Sequence, residues 1–521
     1  MRYLIQFKNL IPQHKGLIIF GFFLVIHLCL LNINSAEWGD SYRILRASEY
    51  IRQLSYPSDE KRPPLFSFIL SIRPSQVDPI LWGRIEMLVI SSVAFFVFAK
   101  LVGLYIKDKK YQALALGLFA LNPVYLYWSL RIYADVPFSL LVMLAFYLFE
   151  KWKRDYGYIN KYCVWILPAV CGLLVGLAVL TRFEGYLLAV ALGFGFLLFK
   201  KIKPLVIYGV TSLILVLPFL IWRNPFTSSY FEEPAGRAYD AKMLVVYIVS
   251  ILFMFGFTSA FAFLLPYIKS RFIVTVKENL TISVFIILEL ILILIWPAAI
   301  PRLFVPIIPF LLVALVLAIK QYFDSNTTTT RERVMILVTH VALIGVYIVG
   351  QYILKLQFLV LVKSMFVITV GLQVALLYPI FFKKYKLFVT LLLASVFIWS
   401  FSTIWLHKAN FIAIKNAAEY ASNNLSGIVG YNDVSSVSDW YLNQWPPKRT
   451  VTGVFYSYAK KKDLDYSVLQ NKGFDYLILT NEHNTDMTLD IESRPYLTQV
   501  KAFEYLINGK LFFARIIKIN K

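Results

Sequence analysis

Long apolar runs alternate with short polar breaks along most of this chain. The runs have the length a helix needs to cross a bilayer, about 20 residues each. They fall near 16–34, 81–106, 111–130, 134–151, 163–181, 185–199, 203–223, 243–267, 279–299, 301–320, 334–354, 357–382 and 386–406, which predicts thirteen transmembrane helices. The first long break, 35–80, is itself patterned. From Asp40 it reads DSYRILRASEYIRQL, with Ile44, Ala47, Ile51 and Leu54 at helical spacing, and a turn-rich PSDEKRPP separates it from Leu65-Phe-Ser-Phe-Ile-Leu. Two helices lying in the membrane interface are expected there. Beyond 406 the pattern changes. Tyr476-Leu-Ile-Leu-Thr and Leu511-Phe-Phe-Ala-Arg-Ile-Ile-Lys-Ile read as strands, 410–422 reads as a helix, and Asn508-Gly509 is a hairpin-turn signal. The expected fold is a polytopic α-helical membrane domain over 1–406, containing the interfacial loop 35–80, followed by a small α/β domain over 407–521.

Charge orients this arrangement. Lys107/Lys109/Lys110, Lys151/Lys153/Arg154/Lys161, Lys200/Lys201/Lys203, Lys269/Arg271/Lys277 and Lys383/Lys384/Lys386 all fall in alternate loops. Arg2, Lys8, Lys15, Lys320, Arg331 and Arg333 lie on the same side. Short loops rich in Lys and Arg stay in the cytoplasm, so the N-terminus is expected inside. An odd number of spans then puts the C-terminal domain outside. With 59% hydrophobic and 16% charged residues among 521, the chain is too apolar for a soluble globule, which carries about 25% charged residues. The net charge of +22 would suggest nucleic acid in a soluble protein. Here it lies largely in inner loops, where it sets topology and meets anionic lipid, and no nucleic-acid partner is expected. The first apolar run exceeds a secretory core and is read as an uncleaved helix of a cell-membrane protein. The three cysteines sit in apolar runs without CxxC spacing.

Ionisable groups held at one face of a membrane domain are costly unless paired or wet, and so mark function. Four places on the outer side carry them: Asp40 just after the first helix; Arg131 and Asp135; Arg182 and Glu184; and Arg302. Lys61 and Arg62 add two cations from the first loop. Arginine forks grip phosphate, and a carboxylate beside a hydroxyl can serve as general base. The same residues could also form structural ion pairs, but as a set they describe a phosphate-handling mouth. Other polar residues in the spans, Glu86, Asn122, Glu289, Gln351, Lys363 and Gln373, are expected to hydrogen-bond between helices, and His27 and His340 to pack there. The five histidines show no ligand spacing. Trp440, Tyr441 and Trp445 are read chiefly as core of the C-terminal domain.

Five segments taken in order resemble a known family: Trp38-Gly-Asp40-Ser-Tyr42, Lys61-Arg62-Pro63-Pro64-Leu65, Ser129-Leu-Arg-Ile-Tyr-Ala-Asp135, the Gly172–Gly185 stretch ending Thr-Arg182-Phe-Glu184-Gly, and Pro301-Arg302-Leu-Phe-Val-Pro306. The chain looks like the GT-C superfamily of polyprenyl-phosphate-sugar-dependent glycosyltransferases, in the branch holding protein O-mannosyltransferases and lipid A aminoarabinose transferases. The resemblance covers about residues 15–320. It implies Asp40 as catalytic base and Asp135 as a second catalytic acid. It further implies Arg62 and Arg302 on the donor phosphate; Arg182 and Lys61 are expected to join them there, and Tyr42, Arg131 and Glu184 to position substrate. Ser41 stands where relatives often place a second acid, and no Trp-Trp-Asp motif is present. The implied partners are a polyprenyl-phosphate-linked sugar, an acceptor protein, lipid or glycan, and membrane lipids. No cofactor is certain. A divalent metal ion, with Asp135 a possible ligand, stays open. The competing reading is a transporter or flippase of lipid-linked sugars, against which the one-sided charges and the lack of an internal repeat both count.

Overall fold

A computed structural model describes residues 15–155, 161–199, 202–223, 262–264, 279–296, 301–325, 329–352, 363–433, 435–445, 450–456, 464–482, 494–507 and 509–520. The described helices are α1 (Lys15–Leu30), α2 (Gly39–Arg52), α3 (Leu65–Ser71), α4 (Pro79–Tyr105), α5 (Lys109–Ala120), α6 (Pro123–Ser129), α7 (Asp135–Asp155), α8 (Lys161–Thr181), α9 (Gly185–Leu198), α10 (Ile202–Trp222), α11 (Leu280–Ile295), α12 (Ile308–Asp324), α13 (Thr330–Tyr352), α14 (Lys363–Ala375), α15 (Leu377–Phe381), α16 (Tyr385–His407) and α17 (Ile412–Asn424). Every apolar run expected to span the bilayer, where it is described, is a helix or a pair of helices. The run 243–267 lies almost wholly outside the described residues. Among the described residues, three helical stretches, Pro79–Tyr105, Ile202–Trp222 and Tyr385–Asn424, are by length and composition alone long and apolar enough to cross a membrane. Others are shorter or broken. The run 111–130 is two helices, because Asn122 accepts backbone N–H bonds from Val124 at 3.1 Å and Tyr125 at 2.9 Å and Pro123 opens a new first turn. Asn122, expected to bond between helices, is thus a cap. Gln373 does bond between helices, donating to Ser395 Oγ at 2.6 Å while its backbone carbonyl meets the His340 ring at 2.6 Å.

The chain divides into two units. The first comprises 1–31, 61–69 and 84–404, and the second 32–60, 70–83 and 405–521. In the first unit, α8 packs closely along α10 and against α7, and α9 packs on α11. A Cβ at Gly172 would run into the Tyr208 carbonyl and sit 3.0 Å from Thr211 Cβ, so only glycine permits that α8–α10 approach. At one end of this unit α5, α12 and α16 are tied together by charge. Asp324 accepts from Lys110 at 3.0 Å, Lys320 at 2.8 Å and the Tyr111 hydroxyl at 2.8 Å, and Lys110 lies 5.2 Å over the Tyr385 ring.

The second unit contains a five-stranded sheet of β1 (Gly427–Tyr431), β2 (Val451–Phe455), β3 (Tyr476–Thr480), β4 (Leu497–Ile507) and β5 (Lys510–Ile519), ordered β2-β1-β3-β5-β4. The first three strands are parallel, β5 runs antiparallel to both neighbours, and the β4–β5 ladder slips between Gln499 and Lys501. The expected hairpin joins Ile507 to Lys510, with Gly509 at φ +76°; Asn508 lies outside the described residues. Leu469, Phe474, Leu477, Leu479 and Ile517 form an apolar core on this sheet. Alanines 413, 417 and 421, all fully buried at four-residue spacing, bring α17 onto β3, β4 and β5. Residues 32–60 and 70–83 of the first loop complete this unit. Tyr42 of α2 lies between Trp440 at 5.9 Å and Tyr441 at 6.0 Å, and Trp38 meets the Phe411 ring edge at 5.5 Å. Trp440 and Tyr441 are therefore core, and Arg73 sits 5.2 Å over the Trp445 ring. Leu54, expected on the apolar stripe of α2, is fully exposed at φ +55°, because the helix has already ended at Arg52.

Two glycine substitutions test the α8–α10 seam. Gly172→Ala is expected to cost about 1–3 kcal/mol through overpacking. Gly209→Ala, on α10 with nothing within 4 Å of its added carbon, should leave the melting temperature unchanged or slightly raised. Thermal unfolding of the solubilised protein reads both.

Candidate functional site

Three of the four places that carried charge in the sequence meet at one end of the first unit. Asp135 opens α7 and is 1% exposed. Arg182 follows α8 and Glu184 precedes α9, and the short turn between them is closed by Gly185 N–H on the Arg182 carbonyl at 3.0 Å. Arg182 donates one guanidinium nitrogen to Asp135 Oδ1 and the other to Glu184 Oε1. One cation thereby holds two carboxylates from separate helix ends, each at 10% side-chain exposure or less. Burial pushes the Glu184 carboxyl up, but the adjacent Arg182 charge and hydrogen bond, with Arg302 beyond, outweigh it and hold the group below the usual carboxylate range.

Arg302 comes from a short 3-10 turn, Pro301–Phe304, leading into α12. Its guanidinium stands 4.9 Å from the Tyr133 ring centroid and 5.9 Å from that of Trp128. Arg131, 1% exposed, stacks 4.7 Å over Tyr127. Tyr127, Trp128 and Tyr133 touch edge to face in series, at 5.0 and 4.9 Å, so one aromatic row backs both arginines. Stacking engages the face of a guanidinium, while phosphate takes its N–H edge. The segment that carries the row is anchored from beneath, where the His27 ring nitrogens contact Ser129 Oγ at 2.8 Å and the Phe23 carbonyl at 2.9 Å. His27 is thus a packing residue, as its place in an apolar run suggested.

The remaining sequence candidates divide between the units. Lys61 and Arg62 belong to the first, half-buried in the turn before α3. Asp40 and Tyr42 belong to the second. Asp40 stands in the first turn of α2, where the helix dipole favours a carboxylate. Tyr42 is 1% exposed, and its hydroxyl accepts the Glu37 N–H at 3.1 Å. A residue missed in the sequence joins the first unit's cluster. Glu289 of α11 is 1% exposed and lies within electrostatic range of both Glu184 and Arg182. Its signal was present as the only charge in the sixteen residues LTISVFIILELILILI. As for a divalent ion, no group of three or more His, Cys, Asp or Glu among the described residues is disposed to hold one. Asp135 is engaged by Arg182.

Residues 61–222 match the family model described as dolichyl-phosphate-mannose-protein mannosyltransferase. That stretch contains Asp135, Arg182 and Glu184. No curated protein matches the sequence significantly. Among solved structures, the chain is similar to ArnT from Cupriavidus metallidurans bound to undecaprenyl phosphate, with TM-score 0.60 at 13% identity over 97% of this chain and 98% of that one. The same enzyme in its apo state gives TM-score 0.58 at 12% identity, covering 95% and 97%. The archaeal oligosaccharyltransferase AglB from Archaeoglobus fulgidus, in complex with an inhibitory peptide and a dolichol-phosphate, gives TM-score 0.53 at 12% identity, covering 96% and 74%. The chain therefore shares its fold with ArnT and AglB.

Removing the shared cation tests the cluster. Arg182→Gln removes the guanidinium that two buried carboxylates share and is expected to cost about 3–5 kcal/mol near neutral pH. A carboxyl held below its usual range stabilises the fold above that range and loses this contribution as pH falls through the lowered value. The stability gap between wild type and Arg182→Gln should accordingly narrow on acidification from pH 7 toward 4, as read by thermal unfolding across that range. A gap that widened in acid would contradict the assignment.

Proposed function

We propose that this chain is a membrane glycosyltransferase that moves a sugar from a polyprenyl-monophosphate carrier to an acceptor at the outer face of the cell membrane. The N-terminus is cytoplasmic and the C-terminal α/β domain extracytoplasmic. The observation that carries the reading is the Asp135–Arg182–Glu184 array beside the aromatic-backed Arg302, most of it inside the segment matched by the mannosyltransferase family. The likeness to structures that hold undecaprenyl phosphate and dolichol-phosphate supports the donor class.

Arg302 and Arg182, with Lys61 and Arg62 from the first loop, take the donor phosphate. Its polyprenyl tail stays in the bilayer. Asp40 is the general base: its carboxylate takes the proton of the acceptor hydroxyl or amine as that atom bonds to the anomeric carbon. The carbon–oxygen bond to phosphate breaks on the opposite face, which inverts the centre, and its electron pair leaves on the lipid phosphate. Cations placed where that charge collects stabilise the transition state more than the ground state. Asp135 orients the acceptor, and Glu184 and Arg131 hold the cations and aromatic row in place. Tyr42 acts from the core of its own unit by fixing the helix that bears Asp40.

Transfer of labelled sugar from a polyprenyl-monophosphate donor by the purified protein tests the reading. Asp40→Asn is expected to lower kcat by about 10²–10⁴-fold, and Arg302→Ala to lower kcat/KM by about 10²–10³-fold. A protein that carried the intact donor across the bilayer without cleaving it would be a transporter or flippase, and would overturn the proposal.

A further inference from the structure

Glu289 is the charged residue of the first unit's cluster that the mechanism does not use. It projects from the buried face of α11, in line with Ile282, Phe285 and Ile293, and those apolar neighbours cannot neutralise its carboxyl. A close approach between two helices fixes where it lies. Near one end of the α9–α11 pair, a carbon added at Gly195 would meet Thr281 Oγ1 at 2.8 Å. Glu289 stands eight residues further along α11, about 12 Å at the rise of an α-helix. Counting back the same distance from Gly195 reaches Leu187, about one turn from Glu184. The electrostatic coupling of Glu289 to Glu184 and Arg182 agrees with this antiparallel alignment. Both carboxyl groups also keep one buried oxygen that no described residue hydrogen-bonds, Oε2 of Glu184 and Oε1 of Glu289.

A membrane interior does not tolerate two neighbouring carboxylates when the guanidinium hydrogen-bonded to one of them is already shared with Asp135. It tolerates an acid beside a carboxylate, because the acid's O–H satisfies the other's lone pair. From this juxtaposition we infer that Glu289 is a positioning residue that balances Glu184, and so decides whether Arg182 can turn from Glu184 to the lipid phosphate. When Arg182 engages phosphate, Glu184 loses the donor at Oε1. A hydrogen bond from Glu289, direct or through one water, keeps the stranded carboxylate from pulling Arg182 back. The inference rests on the proposed donor-phosphate role of Arg182.

Binding of polyprenyl monophosphate alone to the purified full chain in phosphatidylcholine nanodiscs separates the two. Glu289→Leu, which keeps volume but cannot donate, is expected to weaken binding at least about tenfold. Glu289→Gln, which still donates through its amide, should stay within about threefold of wild type. The decisive variant is Glu184→Gln/Glu289→Leu: with no charge left at 184, leucine at 289 should cost nothing beyond Glu184→Gln. Glu289→Met replaces the leucine variant should that fail to fold. Wild-type affinity in Glu289→Leu, or the same loss whether or not Glu184 is neutralised, would show a packing role and overturn the inference while leaving the proposed function standing. A wild type that binds no polyprenyl phosphate would remove both.

Discussion

A single guanidinium that must satisfy two nearly buried carboxylates sets the terms for the first unit. Removing such ions from water costs several kcal/mol each, and only close pairing with further hydrogen bonds offsets it. Arg182 meets that demand because α7 begins, α8 ends and α9 begins at the same end of the bundle, which lets two helix termini share one cation. The α8–α9 turn is short enough to place Arg182 and Glu184 two residues apart and still aim both into the cluster. An arrangement of this kind is rigid in composition and adjustable in charge. Any arriving anion competes with carboxylates already in place, so its binding is an exchange of partners within a fixed geometry.

The aromatic row supplies the second half of that geometry. Tyr127, Trp128 and Tyr133 could not line up along an uninterrupted helix, where residues at those spacings point to different sides. The Asn122 cap and the short turn after Ser129 break the span into pieces, and the broken segment brings its rings against Arg131 and Arg302. A sequence feature that weakens a transmembrane helix thus builds the wall of a polar site. Backbone irregularity at membrane depth is tolerated where protein surrounds it, and here every residue of α6 is buried.

Much of this was legible in residue patterns. Apolar runs located the helices because a bilayer imposes both length and composition. Charges confined to short connections on one side identified Asp135, Arg182, Glu184 and Arg302 as neighbours. What stayed hidden depended on packing across the fold. Glu289 looked like one more polar residue bonding between helices, since periodicity along α11 does not reveal what stands opposite. Tyr42 sits two residues from Asp40 in the chain and was expected to position substrate; the turn of α2 carries its ring against Trp440 and Tyr441. Partners some 400 residues away leave no trace in local spacing.

That long-range embrace changes what the C-terminal region is for. The helix bearing Asp40 rests on Trp440 and Tyr441, the Trp38 that caps it meets Phe411, and its first residue, Gly39, closes on the Ser435 carbonyl with room for no side chain. The tail is therefore scaffolding for the proposed base. Its evolution should be tethered to that of a loop near the opposite terminus, and a shortened form of the chain would forfeit the footing of its own nucleophile activator, however intact the membrane bundle.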